Sequence, residues 1–130
     1  MNQRQLILSA GLVGATAVLC GAFGAHALRS HLTKLGTLET WKTAVLYHFI
    51  HALALLALAG WMHGPEDRAL VWAGRAWVAG IVFFSGSLYG LALGGPRWLG
   101  PITPLGGVAF IAGWMLIALH GWRQSASGNR

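Results

Sequence analysis

The chain has 130 residues, and only 9% of them are charged, whereas a soluble domain carries about 25%. Nine Lys or Arg and three Asp or Glu give a net charge of +6, and the hydrophobic fraction is 55%. This composition excludes an ordinary soluble domain and a disordered chain, and the single cysteine excludes an internal disulfide scaffold.

The charged residues leave four uncharged windows, each longer than the roughly 20 residues that a helix needs to cross the hydrocarbon core. The windows are residues 5–28, 43–65, 76–96 and 98–122. The basic residues lie singly at the window ends, as membrane topology requires, and they divide almost evenly between the two sides. We predict a single-domain, all-α integral membrane four-helix bundle that partners the lipid bilayer and not nucleic acid.

The first span is predicted over about 6–27. Arg4, the apolar run after it and Ala25-His26-Ala27 imitate a signal peptide with its cleavage site, but this run is longer than the 7–15 residues of such a segment. We therefore expect an uncleaved first helix. Small residues at i,i+4 spacing, which include Gly14 and Gly21, predict a face that another helix approaches closely.

The segment that follows the first span is polar but patterned. Its leucines share one helical face, whereas Arg29 and Lys34 lie away from that face. The pattern favours a short helix that lies in the membrane interface over residues 29–36. A plain solvated loop is the alternative.

The remaining three spans are predicted at about 41–62, 69–93 and 104–122. A turn at 63–67 ends in two acidic residues, which suit the positive N-terminal end of the third span. Thr103 is predicted as the N-cap of the fourth span, with Pro104 at its first helical position. Residues 123–130 read as a free polar tail.

Polar side chains inside the spans are predicted to gather in one half of the bilayer, because successive spans run in opposite directions. The candidate site is this intramembrane cluster: His26, Tyr47, His51, Ser85, Ser87, Tyr89 and Thr103. A histidine inside a membrane is a functional-site hypothesis by default. The alternative is that these side chains only form hydrogen bonds between packed helices.

We expect no metal, no cofactor and no catalytic residue. A metal needs three or four ligands; His48 and His51 supply two, and His26 lies at a shallower depth. Two histidines on facing helices could in principle bind a haem, but we do not expect one. The three acidic residues lie at the interface, so a carboxylate proton relay and a Ser-His-Asp triad are both missing from the spans.

Helix packing is predicted from glycines. In the third span, glycines recur every fourth residue beside the Ser and Tyr side chains, which is typical of a close helix contact. The predicted packing positions are Gly14, Gly21, Gly86, Gly90 and Gly107.

Five motifs occur in a fixed order and carry a resemblance to a known family. The motifs are Gly21-Ala22-Phe23-Gly24-Ala25-His26, the pair Tyr47 and His51, Phe84-Ser85-Gly86-Ser87-Leu88-Tyr89, Thr103-Pro104-Leu105-Gly106-Gly107, and Gly113-Trp114. Over most of its length the chain resembles the domain-of-unknown-function 423 family, also called the transmembrane protein 256 family. The resemblance implies a small bacterial inner-membrane or mitochondrial protein with about four helices and no settled activity. His48 lies outside the motif pattern.

We expect a non-enzymatic accessory or scaffold protein, multi-pass in the bacterial inner (plasma) membrane, because small-residue stripes dominate and acid–base groups are missing from the spans. Its expected partner is another membrane protein or a second copy of the chain. One alternative is a redox, quinone or metal-binding protein that uses His26, His51 and Tyr89. A second alternative is a carrier for a small or lipid-like molecule.

Overall fold

The computed structural model describes residues 1–62 and 68–127, and the predicted turn at 63–67 and the end of the predicted tail lie outside them. The elements are α1 (Gln3–Ala25), α2 (Arg29–Lys34), α3 (Leu38–Trp61), α4 (Arg68–Gly80), a π-helical turn (Ile81–Ser85), α5 (Gly86–Ala92), a 3₁₀ turn (Arg97–Leu99) and α6 (Ile102–Ser127). Four segments are long and apolar enough to cross a membrane, the third being Arg68–Ala92. The prediction of an all-α membrane bundle is confirmed.

The first helix begins earlier than the sequence predicts, because Asn2 caps it. The Asn2 side chain accepts a hydrogen bond from the Gln5 backbone N–H at 2.9 Å, and the Gln5 side chain accepts one from the Asn2 N–H at 2.9 Å. This reciprocal pair satisfies two N–H groups that a helix start leaves open. Gln3 donates from the same turn to the Ala59 carbonyl oxygen at 3.0 Å, which joins the start of α1 to the end of α3.

The last helix differs from the prediction at both ends. α6 begins at Ile102, so that Thr103 lies inside its first turn and not at the cap position. The Thr103 hydroxyl instead lies 2.7 Å from the Ser87 hydroxyl. At the other end α6 continues to Ser127, through most of the segment that the sequence predicts as a free tail.

The helix predicted over 29–36 is present as α2, and its position in the membrane interface stays a prediction. Leu32 is fully buried and packs in one cluster with Trp41 and Ala92. The Thr37 hydroxyl, just after α2, donates to the Ala92 carbonyl oxygen at 2.6 Å. The connection between the first two crossings is therefore anchored on the end of α5.

α3, which is the second crossing, lies at the centre of the bundle. α1 packs along α3, α5 and the π-helical turn also pack on α3, and α6 packs on α4 and the π-helical turn. The main core is apolar and includes Leu6, Leu55, Leu58, Ala73, Trp77, Ile81 and Phe110. α1 and α6 expose long apolar rows, with Leu12 at 70% and Val108 at 65% exposure, as helices that face lipid do.

Close approaches between segments occur at glycines, but mostly not at the predicted ones. An added Cβ would overlap a neighbouring segment at Gly24, Gly74, Gly80, Gly90, Gly106 and Gly113. Among the predicted positions, Gly21 and Gly107 make ordinary contacts, at 3.6 Å to Val45 and 3.9 Å to Phe84. No heavy atom lies within 4 Å of the Cβ position of Gly14, and Gly86 meets only a carbonyl oxygen of its own π-helical turn at 3.9 Å. The spacing of glycines along the sequence identifies one face of a helix, but it does not show whether another helix packs on that face.

The π-helical turn interrupts the third crossing in a way that the sequence did not predict. The Gly86 N–H bonds to the Ile81 carbonyl oxygen, five residues back, so the turn accommodates one extra residue. At this turn Ser85 is completely buried. Gly106 of α6 lies directly against the backbone of Phe84 in the same turn.

We predict that Gly106→Ala destabilises the bundle by about 1–3 kcal/mol, the usual cost of overpacking. The added methyl would meet the Phe84 backbone, which cannot rotate away as a side chain does. Gly107→Ala is the matched control, because its methyl would lie 3.9 Å from the Phe84 ring and alanine favours a helix over glycine. Unfolding in detergent micelles measures both variants, and equal losses of stability would contradict this packing.

Candidate functional site

Polar side chains from all four crossings meet inside the bundle, in what we call the polar layer. Its members are Thr16 on α1, His48 and His51 on α3, Ser85, Ser87 and Tyr89 in the third crossing, and Thr103 and Trp114 on α6. The two histidines and the two serines in this set are each at most 6% exposed. Because hydrocarbon offers no water to such groups, each needs a partner within the protein.

His48 joins α1 to α5 through both of its ring nitrogens. Its Nδ1 lies 3.1 Å from the Tyr89 hydroxyl, and its Nε2 lies 3.3 Å from the Thr16 hydroxyl. The Thr16 hydroxyl also lies at donating distance from the Leu12 and Val13 carbonyl oxygens of its own helix. Since those carbonyls only accept, the Thr16 oxygen is free to accept from His48 Nε2–H, and Nδ1 then accepts from Tyr89.

His51 joins α3 to α6 with the opposite ring tautomer. The Trp114 indole N–H donates to His51 Nε2 at 3.2 Å, so Nδ1 carries the proton and donates to the Tyr47 carbonyl oxygen at 2.8 Å. The imidazole also stacks on the Phe110 ring, with the centroids 3.6 Å apart and the planes 10° from parallel. Both nitrogens and one face of His51 are therefore occupied by protein groups, and the ring is neutral.

The two serines connect the third crossing to its neighbours. The Ser85 hydroxyl donates to the Ala44 carbonyl oxygen of α3 at 2.9 Å. The Ser87 hydroxyl lies 2.7 Å from the Thr103 hydroxyl of α6. The predicted cluster members Ser85, Ser87 and Thr103 thus act as bridges between helices.

The side chains of two predicted members of the cluster make none of these hydrogen bonds. His26 is exposed at the end of α1, and no hydrogen bond or ring contact within the described residues connects it to the polar layer. Tyr47 is 39% exposed and packs its ring 4.6 Å from Phe84 and 6.0 Å from Phe110. Its hydroxyl makes no hydrogen bond within residues 1–62 and 68–127.

Sequence reasoning missed the partners that belong to other helices. Thr16 is one of two hydroxyl residues in a long apolar run, and Trp114 enters the sequence analysis only as part of a family motif and not as a member of the predicted site. The predicted site does not include His48, which falls outside the family motifs, yet His48 makes the bonds that join α1 to α5. Which side chains meet depends on how each helix is rotated about its own axis. The spacing of residues along one helix does not determine that rotation.

Trp77 is the one side chain in the described part of the chain whose buried polar atom lacks a partner. It is 2% exposed, and its indole N–H faces Gly113 of α6. The ring packs 4.7 Å from Trp114 and 6.3 Å from His51. A small cavity of about 150 Å³ lies beside it, between α3, α4 and α6, and carries apolar walls.

The ionisable side chains of the polar layer are His48, His51 and Tyr89, and no carboxylate lies among them. Among the described residues, no three His, Cys, Asp or Glu side chains come close enough to hold a metal ion. Glu39 is exposed and its carboxylate pairs with the Lys42 ammonium at 2.7 Å, so it is not a buried acid. Through its hydrogen bonds, the polar layer fixes the positions of the four crossings along one another.

Comparisons with known proteins agree with the membrane fold. The family described as a protein of unknown function (DUF423) matches residues 20–107. The chain is 44% identical, over 87% of its length and 92% of the relative's, to a UPF0382 membrane protein of Staphylococcus saprophyticus. It is 45% identical, over 79% and 84%, to the UPF0382 membrane protein YwdK of Bacillus subtilis. It is 38% identical, over 98% and 97%, to the UPF0382 inner membrane protein YgdD of Escherichia coli K12. No solved structure matches the chain.

We predict that Tyr89→Phe destabilises the protein by about 0.6–1.7 kcal/mol, the range for hydrogen bonds between membrane helices. The change removes the hydroxyl beside His48 Nδ1 and keeps the ring. Tyr47→Phe is the matched control, because the Tyr47 hydroxyl has no bond in the described structure. Unfolding in bicelles gives both free energies. Equal losses, or a double-mutant cycle with His48→Leu that shows no coupling, would contradict the Tyr89–His48 bond.

Proposed function

The chain belongs to the DUF423 family of bacterial membrane proteins, and we propose that it serves in the inner membrane as a non-enzymatic accessory or scaffold subunit. The observation that carries this proposal is that the hydroxyl and imidazole groups of the polar layer have hydrogen-bond partners within the protein, in other side chains or in backbone carbonyls. A ligand site built on these groups would leave some of their bonds unmade, and the buried polar atom that lacks a partner among the described residues, the Trp77 indole N–H, belongs to none of them. The polar layer is better suited to holding helices than to binding a substrate.

The motifs behind the family resemblance also support a structural role. Gly24 of the first motif receives the Trp41 indole, and Gly106 of the fourth lies on the backbone of Phe84, which begins the third. Gly113 receives Trp77, and its neighbour Trp114 donates to His51. Each contact joins two helices, so the motif residues are used in packing.

The alternative of a redox, quinone or metal protein that uses His26, His51 and Tyr89 draws no support from their placement. His51 accepts from Trp114, Tyr89 lies against His48, and His26 is exposed at the end of α1. A ligand shared by these three would have to break two existing bonds. The proposed partner of the bundle is therefore a protein, either another membrane protein or a second copy of this chain.

We predict that the protein purified from its own membrane in mild detergent is colourless and holds no metal at one per chain. Absorption spectroscopy and elemental analysis check this. A chromophore or stoichiometric metal that disappears in His51→Leu, while the helix content is retained, would overturn the proposal. His31→Leu is the control, because His31 lies on α2 outside the polar layer.

We also predict that the chain migrates in native gels as a complex larger than its own mass of 13.8 kDa. An accessory subunit stabilises the protein that it joins. Removal of the chain should therefore lower the amount of one defined partner protein by several-fold. Quantitative mass spectrometry of the membrane fraction measures this change. Gly106→Ala, which weakens the fold, should lower the chain and that partner together, whereas Gly107→Ala should not. A monomer in every mild detergent, with no protein altered on its removal, would contradict this role.

A further inference from the structure

An apolar groove lies between the C-terminal half of α1 and the N-terminal half of α3, and none of the residues that line it belongs to the polar layer. Its volume is about 450 Å³. The groove is open to the outside of the bundle, and the residues that form its walls include Gly21, Gly24 and Ala25 on α1 and Trp41, Val45 and Phe49 on α3. Three small residues on one side and large ones on the other make a channel along the two helices.

The floor of the groove is rigid. The Trp41 indole lies directly against Gly24, where a Cβ would overlap it. Its N–H donates to the Cys20 carbonyl oxygen of α1 at 2.9 Å, and the ring packs 4.7 Å from Tyr89. These contacts keep the indole from swinging out to fill the groove.

The mouth of the groove is basic. Arg29, at the start of α2, and Lys42, near the start of α3, both line it and both are exposed. Lys42 pairs with Glu39 at 2.7 Å, with both side chains well exposed. Two cations and one carboxylate leave a net positive charge at one end of an otherwise apolar groove.

The α3 wall of the groove has the length of one leaflet. It runs from Leu38 at the mouth to Phe49, which is about 16 Å at 1.5 Å per residue, whereas the α1 wall covers only Gly21 to Ala25, about 6 Å. Half of a hydrocarbon core about 30 Å thick is about 15 Å. A lipid acyl chain that begins at the interface therefore has room to lie between the two helices near the mouth and to continue along α3 to the middle of the bilayer.

We propose that this groove is a binding site for one anionic phospholipid, with its phosphate between Arg29 and Lys42 and one acyl chain between α1 and α3. A guanidinium binds a phosphate through two parallel N–H bonds, and basic pockets between membrane helices suit anionic headgroups. A lipid has charge at one end and hydrocarbon along the rest, as the groove does. A transmembrane helix of a partner would instead extend across both leaflets.

Native mass spectrometry of the full chain in detergent tests the proposal, with dioleoyl-phosphatidylglycerol and dioleoyl-phosphatidylcholine added separately. We expect one phosphatidylglycerol per chain, bound at least fivefold more tightly than phosphatidylcholine. About fivefold is the effect of one basic residue near a membrane surface. Equal affinity for the two lipids would overturn the proposal.

Charge variants separate a defined site from general attraction. Arg29→Gln and Lys42→Gln should each reduce phosphatidylglycerol affinity about fivefold and reduce phosphatidylcholine affinity less, because the choline cation offsets the charge of the phosphate that the two lipids share. Glu39→Gln should raise phosphatidylglycerol affinity, because it frees Lys42. Lys34→Gln is the matched control, since Lys34 lies on α2 and is not part of the groove wall. A loss in Lys34→Gln as large as that in Arg29→Gln would overturn the site.

The apolar part of the groove needs its own variant. Ala25→Leu fills the channel below the mouth and should weaken both lipids several-fold, while circular dichroism shows the same helix content as in the unaltered chain. Millimolar inorganic phosphate should not displace the bound phosphatidylglycerol, because the acyl chain contributes to binding. Displacement by phosphate alone, or a chain dimer that occupies the groove and excludes phosphatidylglycerol, would overturn the lipid assignment.

Discussion

Water does not reach the hydrocarbon core of a bilayer, so every polar side chain placed there needs a partner supplied by the protein. The polar layer is the response of this chain to that constraint. His51 accepts on Nε2 because the Trp114 indole N–H can only donate, and His48 takes the opposite tautomer because the Thr16 hydroxyl proton is directed at carbonyl oxygens of its own helix. Once these bonds are made, α1 and α6, which lie on the outside, are both joined to α3. This layer joins the helices at fixed positions along their axes, and the close contacts at glycines act with it to set the register of the bundle.

Close packing is the condition that makes these bonds reachable. α6 approaches the third crossing at Gly106, against the backbone of the π-helical turn, and one turn away Thr103 meets Ser87. The π-helical turn ends in Ser85, which bonds to the Ala44 carbonyl oxygen, and Tyr89 bonds to His48 one turn further along the same crossing. π turns of this kind often occur at functional sites, and in this chain the turn lies where three crossings meet.

The molecule separates its internal and external polar groups. Inside, neutral side chains bond to one another and no charged residue is buried among the described ones. Outside, most charges stand at the ends of the crossings, Arg75 being exposed within the third, and two of them, Arg29 and Lys42, line the groove between α1 and α3. A scaffold function needs a stable interior, whereas contact with lipid or partner takes place on the surface. The proposed subunit role and the proposed lipid site therefore concern different parts of the fold.

The sequence by itself determined the four crossings, the absence of acidic groups from them and most of the polar residues that matter, because the cost of charge in hydrocarbon constrains composition along the chain. It predicted Ser85, Ser87, Tyr89, His51 and Thr103, all of which the fold brings into one layer. Only the tertiary structure decided their partners, the π-helical turn, the exclusion of His26 and the glycines at close contacts. Those features depend on how each helix is rotated about its axis, and a helix with small residues on several faces allows more than one rotation. The opposing helix selects one of them.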